Sequence, residues 1–129
     1  MSQLLGIAVL AGLLASSAHA VTMAECDAFA SELNKSFPSR VDKITRVNGT
    51  ACVPGSKRPV LVYRMSLDIK KSEANQSAMR NMKEVQLQNW CSEPGQLKLF
   101  NLVDIKYTYF DSSGTYVGEI SHAIESCPR

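Results

Sequence analysis

From Thr22 onward the apolar side chains first recur every three or four residues: Cys26, Phe29, Leu33 and Phe37 share one stripe, the spacing of an amphipathic helix. Thr22-Met23-Ala24-Glu25 precedes the stripe as a capping box, in which the Thr hydroxyl and the Glu carboxylate each take up a free amide of the first turn. Pro38 ends the helix. Between Val41 and Val53 the rhythm changes, and Ile44, Val47 and Cys52 predict a strand with irregular ends, bent or bulged at Asn48-Gly49. Pro54-Gly55-Ser56-Lys57-Arg58-Pro59 is a turn by its chemistry, with two prolines that lack amide donors and a permissive glycine. From Val60 to Ile69 the period is two: Leu61, Tyr63, Met65, Leu67 and Ile69 line one face. Together the two segments predict an antiparallel hairpin.

Ser72, with Glu73 in the first turn where the helix dipole favours negative charge, marks a second helix. Its apolar stripe runs through Ala74, Ala78, Met82 and Val85, joined by Met79, and continues inward at Leu87 and Cys91, with Trp90 beside it. Ser92-Glu93-Pro94-Gly95 breaks this helix, and Leu97, Leu99, Phe100 and Leu102 in a short further turn close over the core. The clearest alternation comes last. Val103, Ile105, Tyr107 and Tyr109 alternate with Asp104, Lys106 and Thr108, and Tyr116, Gly118, Ile120, His122 and Ile124 alternate with Val117, Glu119 and Ser121. Asp111-Ser112-Ser113-Gly114 joins them as a hairpin loop, with Gly114 at the position that wants positive φ. The order α-ββ-α(α)-ββ predicts an α+β two-layer sandwich, an antiparallel four-stranded sheet of two hairpins with helices on one face. A single domain is expected to span residues 21–129.

Ahead of that domain, Leu4 to Ala15 is uncharged and apolar, and Ala18-His19-Ala20 has the small-x-small form of a cleavage site. Residues 1–20 are therefore expected to be a removed secretory signal peptide. Ser16, Ser17 and His19 close the apolar run well short of the roughly 20 residues a spanning helix needs, and no cysteine follows it for lipid attachment. A periplasmic product without stable membrane insertion is expected. At 45% apolar and 20% charged, the chain is unlike a disordered tail. Lys+Arg 14 against Asp+Glu 12 gives no concentrated basic surface for nucleic acid. The four cysteines, Cys26, Cys52, Cys91 and Cys127, all follow the leader, and an even count in an oxidising compartment reads as two disulfides. Of the three connectivities, Cys26–Cys52 with Cys91–Cys127 is favoured, because each joins a helix to the strand region after it.

Reactive chemistry finds little footing. There is no C-x-x-C, and His122 is the single histidine after residue 20, so no metal site is expected, nor any cofactor. A Ser–His–Asp arrangement would have to use His122, whose alternation turns it inward. Oxidised cysteines leave no thiol nucleophile. Glu93 and Asp104 could be drawn as a glycosidase pair, but nothing implies a cleft between them. No catalytic residue is expected. The aromatic residues Trp90, Tyr107, Tyr109 and Tyr116 form the candidate partner surface, since Tyr and Trp bury large areas while keeping a polar handle. Tyr107 and Tyr109 also suit the core beneath the second helix, whereas Tyr116 lies near the loop.

Residues 86 to 127 carry one resemblance. Gln88-Asn89-Trp90-Cys91-Ser92-Glu93-Pro94, then Leu97-Lys98-Leu99, then Val103-Asp104-Ile105-Lys106-Tyr107 and a hairpin ending at Cys127 resemble the AspS-type (GspS-β) pilotins of type II secretion systems. The likeness covers the C-terminal third and lacks the lipoprotein cysteine of that family. It implies a Cys91–Cys127 bridge, helices packed on a sheet, and the family's periplasm-facing work of binding the C-terminal segment of a secretin and escorting it to the outer membrane. Two functions of different kinds are expected. The first is a non-enzymatic periplasmic protein-binding factor with a secretin-like partner. The alternative is an immunity or inhibitor protein that occludes a secreted toxin such as a cell-wall hydrolase. A rigid, bridged surface suits either, because preorganisation lowers the entropy lost on binding. A homodimer is compatible with both.

Overall fold

A computed structural model describes residues 21–128; the expected signal peptide lies outside the described residues. Helix α1 (Met23–Asn34) starts where the capping box puts it. The Glu25 amide donates to Thr22 Oγ1 at 3.1 Å, and the Thr22 amide donates to Glu25 Oε1 at 2.8 Å. A two-residue strand, β1 (Ser39–Arg40), follows, then β2 (Thr45–Val53) and β3 (Val60–Leu67). Next come α2 (Gln76–Ser92) and α3 (Pro94–Phe100), and the chain closes with β4 (Asp104–Phe110) and β5 (Tyr116–His122). Helix α2 is capped by Asn75, whose side-chain oxygen accepts from the amides of Ser77 and Ala78; Ser72 lies in a preceding 3-10 turn, Lys71–Glu73. Pro94 opens α3, where its missing N–H leaves no intrahelical bond unmade.

The sheet corrects the sequence expectation. It has five strands in the order β1-β2-β3-β4-β5, and it is mixed: β3 and β4 run parallel, with Val60 beside Asp104 and Ser66 beside Phe110. The two hairpins are present, but the pair that joins them is not antiparallel. A parallel pair needs a long crossover, and the helical stretch between Leu67 and Asp104 supplies it. The fifth strand, β1, is held by the turn after it, where the Asp42 carboxylate accepts from the amides of Ile44 and Thr45. Arg40 adds an ion pair to Asp68 at 3.0 Å. In β2 the register slips between Val47 and Gly49, so Val47 and Thr50 both turn inward although three positions apart.

One face of the sheet carries the core. Leu61, Ile105 and Tyr109 are fully buried there with Cys26, Phe100 and Val103. One cluster joins α1, α3 and the sheet; a second gathers Val47, Met65, Leu67, Tyr109 and Ile120 against Phe37, Met79 and Met82. On α2 Met79, Met82, Leu87 and Cys91 turn inward as expected, but Ala78 is exposed, Val85 is half exposed, and Gln86 is drawn in where Val85 was expected. Both disulfides close as favoured: Cys26–Cys52 ties α1 to β2, and Cys91–Cys127 ties α2 to the chain after β5. Gly114 takes φ +86° in the β4–β5 loop, and a side chain on Gly55 would meet the Arg58 carbonyl at 2.3 Å, so both turns depend on glycine. Among the described residues no helix is long and apolar enough to cross a membrane.

Candidate protein-binding surface

Of the four aromatic residues marked by the sequence, three belong to the interior layer. Trp90 is 3% exposed; its indole N–H donates to the Tyr107 hydroxyl at 2.7 Å. Tyr63 stacks on Tyr107 with ring centres 5.0 Å apart, and Trp90 meets Phe100 at 5.7 Å. Tyr109 is fully buried, and its hydroxyl accepts from Gln86 Nε2 at 2.7 Å and donates to the Met82 sulfur. Burial pushes the phenols of Tyr107 and Tyr109 up to about 12, so both hydroxyls stay protonated. These rings pack α2 onto the sheet. Tyr116, by contrast, is 46% exposed.

His122 completes the inner network. Its Nε2 lies 2.8 Å from Gln86 Oε1, and because the amide N–H of Gln86 already points to Tyr109, this oxygen must accept. His122 is therefore the Nε2–H tautomer, and Nδ1 has no hydrogen-bond partner among the described residues. Burial first, then the Lys83 charge, pull its pKa down to about 4, leaving a neutral ring at neutral pH. Among the described residues, no carboxylate or hydroxyl is hydrogen-bonded to its ring. Asp104 is taken up by Arg58 at 2.8 Å, while Glu93 sits exposed at the α2–α3 junction. Arg58 also grips Glu125, at 2.6 Å, which holds the Glu125 carboxyl down at about 2 and fastens the C-terminal segment to the β2–β3 turn. No group of three or more candidate metal ligands occurs among the described residues.

The opposite face of the sheet carries the exposed aromatic. Residues directly across from one another share a face, so the register builds it row by row. Arg46, Ser66, Phe110 and Tyr116 form one row across β2 to β5; Gly49, Arg64, Thr108 and Glu119 form the next. Ala51, Val62, Lys106 and Ser121 form the third. The Arg64 guanidinium lies over the Phe110 ring, 4.2 Å from its centre, and Tyr116 meets the same ring edge-on at 6.0 Å. Tyr116 also donates to Glu119 at 3.3 Å, and Glu119 pairs with Lys106 at 3.6 Å. The sequence reading had no place for Phe110, Arg64 or Arg46. Its one available signal was phase: Phe110 directly follows Tyr109 and so cannot share its buried face.

No family model matches the chain, and no curated protein matches it in sequence. In three dimensions it is similar to EpsS, the pilotin from the Vibrio vulnificus type 2 secretion system, with a TM-score of 0.64 at 12% identity over 83% of this chain and 92% of that one. It is similar to AspS, the type II secretion system pilotin from Vibrio cholerae, with a TM-score of 0.56 at 11% identity over 81% of this chain and 91% of that one. A Pseudomonas aeruginosa protein thought to be secreted gives 0.64 at 16% identity, over 85% of this chain and 99% of that one. The chain has a pilotin-like fold. That fold takes in nearly the whole described domain, well beyond the C-terminal segment from which the sequence resemblance was drawn. At these identities the likeness is one of backbone.

Proposed function

We propose that this protein is an exported, non-enzymatic protein-binding factor with a pilotin-like role in a secretion system, and that its partner is the C-terminal segment of a secretin. The observation that carries the reading is the pilotin-like fold, matched over more than nine-tenths of both pilotin chains. Two disulfides support export, because such bonds persist in oxidising compartments, and the apolar leader agrees with it. The absence of an enzymatic role is supported by His122, which is neutral, buried and bound to an amide. The immunity reading finds no support among the structural neighbours and is not carried further.

Calorimetric titration with the secretin C-terminal segment encoded in the same genome tests the proposal. Saturable binding is expected, absent for a scrambled segment of equal composition. Equal heats from the two segments would overturn it.

A further inference from the structure

We propose that the open face of the sheet, around Arg64, Phe110 and Tyr116, docks an acidic amphipathic segment of the partner protein, whose carboxylates meet Arg64 and Arg46 while its apolar side chains cover the two rings. The inference rests on the protein-binding role given above and names the surface that performs it. Charge complementarity carries it. Of the other described arginines, Arg40 pairs with Asp68 and Arg58 with Asp104 and Glu125, while Arg80, on α2, reaches only the Ser77 hydroxyl. Arg46 and Arg64 pair with none among the described residues; Arg46 reaches only the Asn48 side-chain oxygen. The two sit on adjacent strands of one face, Arg46 beside Ser66 and Arg64 two positions before it. Neither carries an anion of its own among the described residues, and a carboxylate brought to this face can accept a charge-assisted hydrogen bond from either guanidinium.

The site is also held in advance. The Phe110 ring fixes the Arg64 guanidinium by cation–π contact, and its planar fork can take a carboxylate through two parallel hydrogen bonds. Phe110 is in turn braced by Tyr116, so less side-chain freedom is lost when a partner arrives. Arginine beside an exposed tyrosine is a combination enriched in binding hot spots. Glu119 borders the site and is already engaged by Lys106 and Tyr116. It limits the attraction to a partner that brings its charge to the Arg64–Arg46 side, as a structured peptide can and a uniform anionic surface cannot.

Amide shift mapping of the disulfide-bonded protein tests this with a short peptide alternating Glu with Phe and Leu, and with its counterpart carrying Lys in place of Glu. The acidic peptide is expected to shift the amides of Arg64, Thr108, Phe110 and Tyr116, and the basic one to leave them in place. Arg64→Glu and, independently, Tyr116→Ala are expected to weaken the acidic peptide about tenfold or more, with unchanged far-ultraviolet circular dichroism. No shifts at this face, or equal shifts from both peptides, would overturn the proposal. So would sedimentation with phosphatidylglycerol vesicles that depends on Arg64 without any peptide response, since the occupant would then be a membrane. Shifts of the same amides with protein concentration alone would overturn it in favour of a second copy. A secretin segment that binds wild type and Arg64→Glu equally removes this surface and leaves the pilotin-like role standing. A segment that binds neither, beside a positive acidic-peptide response, removes the role and leaves the surface.

Discussion

Tyrosine and tryptophan do two separate jobs in this chain, and burial decides which. Trp90 and Tyr109 have their polar atoms bonded inside the domain, to Tyr107, Gln86 and Met82, so truncation there takes away packing and leaves a buried partner unpaired. Trp90→Ala is expected to destabilise the fold by about 3–5 kcal/mol, measured by urea denaturation. His122 adds a pH dependence of defined sign. Its pKa is lowered from 6.5 to about 4 in the folded protein, so the unfolded chain takes up the proton first as pH falls. Its contribution is complete above pH 6.5, declines through the interval down to about 4, and is level below that. Asp111 is held at about 2, chiefly by the Thr115 amide and the Ser113 hydroxyl, and Glu125 at about 2 by Arg58. Their contributions are lost later, as pH approaches 2. Thermal midpoints across pH 7 to 3 should therefore fall in His122's window first. His122→Gln is expected to flatten that part of the profile and leave the lower part unchanged.

Each disulfide joins a helix to the sheet side of the domain, and the loops they close, with separations of 26 and 36 residues, are long enough for cross-linking to restrict the unfolded chain strongly. Replacing either pair by alanine is expected to cost about 3–4 kcal/mol, read from denaturation midpoints of the oxidised single-bridge variants. How far these elements can be read from the chain depends on whether their cause is local. The start of α1 was legible because a capping box lies wholly within four residues, and the β4–β5 loop because only Gly114 relieves its backbone. The parallel β3–β4 pairing was not. Alternation tells which face a side chain takes, and it is silent on which strand lies alongside or in which direction it runs. The two-residue β1 is too short for any period. On α2, hydrophobicity ranks Val85 as inward and Gln86 as outward; the fold reverses them, because one amide satisfies both Tyr109 and His122. The proposed docking face was legible only at Tyr116, since the residues that flank it there, Arg64 and Arg46, come from strands whose adjacency the pattern does not encode.

Taken whole, the domain is a bridged sheet with helices on one side and a charged, aromatic face on the other. Its interior chemistry is spent on holding α2 and the C-terminal segment in place, and what it offers outward is shape and unpaired guanidinium groups. The proposed role is to hold a partner, so it is tested by the contacts the protein makes in the cell. The most direct measurement is photo-crosslinking in living cells with a benzophenone side chain introduced at Tyr116. An adduct combining this chain with one secretin subunit, lost in Arg64→Glu, is the expected result. No secretin adduct from Tyr116 or from any other exposed position, in cells that contain the secretin, would contradict the role proposed here.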